Sequence, residues 1–506
     1  MAKHLVLILA TAVGMCAAQT PASTGPKATP QEMHISPAEA KQLFNSVGVI
    51  LKFASNDSQL PIKHDVKRKL TTREAVEKYL VDKMNDDKDA KRMERSEIVL
   101  KKFGLLDRDF QLRPFLLQLL KEQIEAYYDS KTKTVNLLDW ATPDTQKPVL
   151  AHELTHALQD QHVDLDKWED GTSDDLSRNV KQDNEHIQTD EMDTAREAVL
   201  EGQAMAVYLD YALARSGRSL LTAPDIVDSL TDSSDTSDSP VLARAPLVLK
   251  ESLLFPYQDG LKFEQVVLKD EGKAGAFAGV LDRPPDSSYE IINPRAYMRK
   301  KKAPVLQMPD VHSLLDANYE PYDIGVMGQL DVRMLAELFG GQEMSAALTP
   351  AWDGGIYYAV QSKKAKTEAE KNSTASVALF YLSQWKSSQA AEAFTKMYAD
   401  ELSKKYSNVT RDTNDEADRT EQIYNTSEGP VVLTTNDRMV FVSESFDLTT
   451  ARKLAFLVTG AQANDDASQA ARLESRPSKD DHSAELNASM VRFLSTCGVM
   501  RAALPH

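Results

Sequence analysis

Apolar residues recur every three to four positions through several long stretches of this chain. Alternating runs are short and few, so helices should predominate. The spacing predicts a helix from Pro37 to Ala54 and two or three more between residues 72 and 122. Ile124-Glu125-Ala126-Tyr127-Tyr128 and Lys133-Thr134-Val135-Asn136-Leu137-Leu138 are β-prone and flank turn formers at 129–132, which predicts a hairpin. A helix should follow. Asp144 or Thr145 can cap it, Pro148 suits a first turn, and Val149, Leu150, Leu154, Ala157 and Leu158 give it an apolar side. Another helix is predicted from about Gln188 to Ala214.

Farther on, residues 229–240 are acidic and of low complexity, which predicts a disordered connection. Leu247 to Phe255 and Phe263 to Leu268 bracket an apparent turn at Pro256-Tyr257-Gln258-Asp259-Gly260. Pro284-Pro285-Asp286 opens a loop, and Arg299-Lys300-Lys301-Lys302 reads as a solvated one. Residues 322–347 and 377–405 look helical, with a turn at Trp352-Asp353-Gly354-Gly355 between them. Val431 to Leu433 and Met439 to Val442 form a late hairpin through Asn436-Asp437-Arg438. A last helix is expected from Glu485 to Phe493, and no internal repeat is visible. The expected fold is α+β and mostly helical, with a short β-sheet early and a further α+β region after it. The divisions fall at 1–18, 19–59, 60–225, 226–245, 246–460 and 461–506.

Composition narrows the class. The net charge of -17 and the lack of a long basic run argue against a nucleic-acid partner. Lys3 and His4, the apolar run Leu5 to Ala18 and the small residues Cys16-Ala17-Ala18 predict a signal peptide cleaved before Gln19, hence an exported protein, periplasmic or secreted. Residues 19–36 are rich in Pro, Ser and Thr and read as a flexible leader. Cleavage would leave Cys497 alone, so no internal disulfide is expected. No later run of about 18 apolar residues predicts a spanning helix.

The chemistry concentrates at His152-Glu153-Leu154-Thr155-His156, in a chain with only 10 histidines among 506 residues. On a helix, positions four apart share a face, so the two imidazoles can ligate one zinc ion. Glu153 can then act as general base on a metal-bound water. A zinc site needs a third protein ligand. His162 has the spacing of the metzincin signature, but Gln159 stands where that signature needs a glycine to break the helix. If the helix continues, His162 sits about 240° round the axis from His156 and faces away. The other candidates are Glu201 and Glu197, which share a face of the second helix. One can bind the metal while the other supports a ligand.

The stretch resembles the gluzincins, zincin metallopeptidases whose third ligand is a Glu on a second helix. Glu201-Gly202-Gln203-Ala204 is similar to the Glu-Gly-x-Ala segment of the aminopeptidase branch, which points to Glu201. The pairing in thermolysin-like members would point to Glu197. The 45 residues from His156 to Glu201 exceed the usual gap, and the excess would be a polar loop from Asp164 to Asp190. More closely, His152 to Gln161 and the Glu-Gly-x-Ala helix resemble a poorly characterised group of exported bacterial proteins. Later landmarks of that likeness are Phe255 to Gly260, Pro284 to Ser288, Asn293 to Tyr297 and Trp352 to Gly355, so it spans roughly residues 100–445. That group commonly has His where Asn293 stands, so no metal role is expected there. The resemblance implies a zincin-like catalytic region at 60–225 and a peptidase without a known substrate.

Zinc held by His152, His156 and Glu201 suits hydrolysis of a peptide or protein substrate. Tyr208, Tyr289, Tyr297 and His186 are candidate oxyanion partners, and the strand with Tyr127 and Tyr128 could pair with an extended peptide. The rival expectations are a non-catalytic zincin-shaped binding module of the cell envelope and a hydrolase of non-peptide amides or esters.

Overall fold

The computed structural model describes residues 34–84, 87–123, 126–168, 179–231 and 239–463. The expected signal segment, the leader as far as residue 33, most of the acidic connection and the helix at Glu485 to Phe493 lie outside the described residues. The fold is α+β and mainly helical, as the hydrophobic spacing indicates.

Helix Pro37–Ser58 begins at a capping box, in which Ser36 accepts from Glu39 N and Glu39 accepts from Ser36 N. Its apolar stripe of Leu43, Val47, Ile50, Leu51 and Ala54 packs on the two helices that carry the site. Three helices occupy the next stretch, at Arg73–Met84, Asp87–Phe103 and Leu112–Gln123. Strand β1, Lys67–Thr71, escaped the sequence because Lys67, Arg68 and Lys69 are exposed and only its end is buried. It pairs in parallel with β3 (Thr134–Leu138), which pairs antiparallel with β2 (Tyr127–Asp129) in the expected hairpin. The order β1-β3-β2 leaves β2 at an edge.

The motif helix spans Pro143–Val163 and starts earlier than expected, with Pro143 in its first turn and Pro148 inside it. Gln146 fastens it to the sheet. Its side chain accepts from Leu138 N at 3.0 Å and donates to Leu138 O at 2.9 Å. The expected polar loop from Asp164 to Asp190 is partly helical, at Leu165–Trp168 and Val180–Thr189. The ligand helix follows at Met192–Leu213. The acidic connection is also shorter than expected, since helix Asp225–Thr231 covers its start and helix Pro240–Ala243 its end.

The supposed turn at Pro256 to Gly260 does not exist. One long helix, Leu247–Ala274, runs through it and kinks instead at Gly272 (φ 70°). Gly260 serves close packing rather than a turn. A methyl group added there would strike the Ala198 carbonyl of the ligand helix, and one added at Gly202 would strike the Gly260 backbone.

The later region holds a seven-stranded antiparallel sheet, ordered β4-β5-β6-β10-β9-β8-β7. Its strands are β4 (Tyr319–Val326), β5 (Trp352–Ser362), β6 (Val377–Trp385), β7 (Thr410–Arg411), β8 (Glu421–Thr426), β9 (Gly429–Asn436) and β10 (Met439–Glu444). The hairpin of β9 and β10 is as expected. The helices read at 322–347 and 377–405 each prove to be a strand and then a helix, β4 with Gln329–Leu348 and β6 with Ser388–Lys405. The supposed turn at Trp352 to Gly355 opens β5, where the register with β6 shifts. Both faces of this sheet are covered. Tyr357, Tyr381 and Leu433 enter the main core, while Tyr358, Phe380 and Phe441 enter a second one beneath helix Leu448–Ala463. Buried Lys102 ties the early helices to this sheet, donating to Glu428 at 2.8 Å and Ser445 Oγ at 2.7 Å. Among the described residues, no helix is long and apolar enough to cross a membrane.

The Gly202–Gly260 crossing sets how closely the long helix lies on the ligand helix. Gly202→Ala and Gly260→Ala should each lower the unfolding free energy by about 1–3 kcal/mol through overpacking. Urea titration would show this as a lower midpoint, and unchanged midpoints would refute the contact.

Candidate metal centre

The two motif histidines lie one helical turn apart and bring their Nε2 atoms within 3.1 Å of each other. Glu201 Oε2 reaches across from the ligand helix, 3.0 Å from His152 Nε2 and 3.5 Å from His156 Nε2. Ligand bonds of about 2.0–2.1 Å in a tetrahedron set ligand atoms about 3.3 Å apart, so the triangle fits one small divalent ion. All three residues are buried, and Glu201 Oε2 has no hydrogen-bond partner among the described residues. An electron-rich oxygen in such a place calls for a cation. This group can hold a metal ion, and among the described residues no other set of three His, Cys, Asp or Glu side chains is so placed.

The electrostatics agree. Burial opposes the charge on His156, but Glu201, with Glu153 behind it, outweighs burial and pushes the imidazole up to about 9. Burial opposes ionisation of Glu201 as well, yet the His156 and His152 rings hold its carboxyl well below the usual range. Burial raises Glu153, against the pull of the same two rings. The negative charge of Glu201 thus favours positive charge beside it, which a proton on His156 supplies where no ion does.

The remaining candidates fall elsewhere. His162 faces away from the centre, its Nε2 3.0 Å from Asp282 Oδ1, because Gln159 continues the helix. Glu197 is buried on the ligand helix but does not join the triangle. His186 sits 3.3 Å from Asp190. The Tyr297 hydroxyl donates to Arg283 O at 2.7 Å, Tyr289 lies against Trp352, and Tyr208 is a core residue. Asn293 bridges Tyr289 O and Gln329.

Glu153 Oε2 accepts from Tyr128 N at 2.8 Å, so an amide on the outer edge of β2 points at the candidate base. The Tyr128 hydroxyl donates to Asp160 Oδ2 at 2.7 Å, a second tie between β2 and the motif helix. Tyr257 was missed as a site residue because it lay in the supposed turn. On the continuous helix its ring stacks on His152, with centroids 6.2 Å apart and an 18° tilt.

Two buried acids fix the start of the ligand helix. Asp190 Oδ2 accepts from Val326 N at 2.7 Å, and Glu191 accepts from the Ser288 amide and hydroxyl. Burial pushes Glu191 up to about 7, with Asp190 and Glu290 adding to the rise and Ser288 opposing it. Burial also pushes nearby Asp323 up to about 7. Tyr357 opposes that rise, Asp190 adds to it, and Arg95 and His186 oppose it. Asp331, in the first turn of helix Gln329–Leu348, faces Glu191.

No protein-family model matches the chain, and neither a curated protein nor a solved structure matches it.

Raised carboxyls make the anchor pH-sensitive in a defined direction. Their contribution is complete below the unfolded value of about 4 and is lost as pH rises through about 7. Thermal unfolding midpoints should therefore fall between about pH 4 and pH 7, and Glu191→Gln should flatten part of that fall. A midpoint that rises over this range would mean these acids are stabilised as carboxylates.

Proposed function

We propose that this chain is an exported zinc metallopeptidase of the gluzincin type. His152, His156 and Glu201 hold the ion, and Glu153 is the general base. The observation that carries the proposal is the triangle of His152 Nε2, His156 Nε2 and Glu201 Oε2, with Glu153 beside it on the same helix. Two imidazoles and one carboxylate are a donor set that zinc favours in catalytic sites. Bound there, the ion would supply Lewis acidity toward a water molecule and toward the carbonyl to be split.

The protein's own groups do the rest. Glu153 takes a proton from the attacking water and delivers it to the departing amine. The Tyr128 amide holds one carboxylate oxygen, which keeps the other free to turn toward the reacting atoms. The Tyr128 carbonyl points to the same side of β2 as its amide, where it can accept from the backbone of an extended substrate. Tyr257, stacked on His152, fixes that ring and borders the same space.

Metal analysis should find about one zinc per chain, as the donor set requires. His156→Ala and Glu201→Ala should lose it. A mixed peptide library should be cleaved by the wild type. Glu153→Gln should keep zinc and lose about 10²–10⁴-fold in turnover. A metal-free wild type would overturn the assignment, as would full cleavage by Glu153→Gln. Zinc without cleavage of any peptide would favour the binding module.

A further inference from the structure

Behind His156 runs a line of side-chain amides whose direction can be worked out from its far end. Gln203 Nε2 lies 2.8 Å from Ala276 O and 3.1 Å from Phe277 O. Backbone carbonyls only accept, so the amino end of Gln203 must face them. Its oxygen then faces back, 2.9 Å from Gln159 Nε2. Gln159 Nε2 also lies 3.1 Å from Leu200 O, another pure acceptor. The Gln159 oxygen is thereby turned to His156 Nδ1, at 2.8 Å. Amide orientations and histidine tautomers are ordinarily ambiguous, but here three main-chain carbonyls decide them in sequence.

We infer that Gln159 and Gln203 form a directional relay that keeps the hydrogen of His156 on Nδ1 and so presents the Nε2 lone pair to the metal position. This rests on the metal-binding part of the function proposed above, not on peptidase activity. Both glutamines are fully buried, so reversing either amide would set oxygen against oxygen where no water can repair the contact. The terminal carbonyls sit in a π turn, Gly275–Gly279, just past the Gly272 kink. Such turns depart from the regular helical ladder and can present carbonyls sideways.

The relay serves one ligand only. His152 Nδ1 is buried without a hydrogen-bond partner among the described residues, and its ring is held by stacking on Tyr257. The two histidines are therefore supported by different means. A ligand histidine is often oriented by a carboxylate, which adds negative charge toward the metal. The amides of Gln159 and Gln203 orient His156 without adding charge, which leaves the ion a stronger Lewis acid. Gln159 and Gln203 are thus positioning residues.

The test uses full-length protein with ¹⁵N-labelled histidine and added zinc. In the wild type, His156 should coordinate through Nε2 and show a protonated, slowly exchanging Nδ1. Coordination through Nδ1 would overturn the relay, and this measurement needs no variant. Gln203→Met should speed exchange of that proton about tenfold and weaken zinc binding about 10–100-fold, with the His152 signals little changed. Gln159→Met should do the same, and the double variant should be no worse than either single one, because a chain fails at its first break. A cooperatively folding Gln203→Met with unchanged zinc affinity and unchanged exchange would refute the relay while leaving the metal site standing. A wild type that binds no zinc would overturn both.

Discussion

A buried carboxylate facing two imidazoles is stable only if positive charge lies between them. Glu201 is about as enclosed as an apolar core residue, at 6% exposure, and its Oε2 lies 3.0 Å from His152 Nε2 and 3.5 Å from His156 Nε2. Removing such a charge from water costs several kcal/mol unless a cation or a proton compensates. The surrounding fold holds the three donors at fixed distances. Gln146 pins the motif helix to β3, Tyr128 pins β2 to the motif helix, and the Gly202–Gly260 contact sets the ligand helix against the long one. Each support comes from a different part of the chain, so the centre is assembled by tertiary packing although its signature spans five residues.

That division explains what was legible. His152, Glu153 and His156 could be read because helical spacing alone puts the imidazoles on one face. Gln159 rightly argued for a continuing helix and so against His162. Between Glu197 and Glu201 helical spacing cannot choose, and only likeness at Glu201-Gly202-Gln203-Ala204 favours Glu201, the one that tertiary packing brings to the rings. Tyr257 stayed hidden because Pro256 and Gly260 mimic a turn. Nothing local reveals that Gly260 is small to admit Ala198. Gln203 was invisible as well, since its role is defined by carbonyls more than 70 residues away. In the later sheet, Val377 to Leu382 is buried on both faces as an unbroken apolar run, which periodicity cannot distinguish from a buried helix, whereas β4 was hidden because Glu320, Pro321 and Asp323 interrupt its apolar residues.

The later sheet and the loops beside it also hold the start of the ligand helix. Asp190 and Glu191, immediately before the ligand helix, are gripped by Val326 and Ser288. Lys102 meanwhile inserts from the early helices among Glu428, Ser445 and Thr374, with Lys405, Tyr398 and Tyr406 gathered around Glu444 beside it. Buried ionic networks of this kind contribute little net stability but make any misplaced packing expensive, because an unpaired buried charge costs about 3–5 kcal/mol. Such a network specifies one docking of the early helices on the sheet, and the ligand helix inherits that precision through Asp190 and Glu191.

Enclosure also restricts what could reach such a centre under the proposed function. Glu153 is 9% exposed and Glu201 6%, so a carbonyl that meets both would leave bulk water to do so. A single extended chain is the narrowest form a polypeptide takes, and β2 lies at the edge of its sheet beside the base. Backbone pairing with that edge would align a carbonyl without reading side chains. Selectivity would then come from which segments can lie fully extended, a property of the substrate's own folding more than of its sequence.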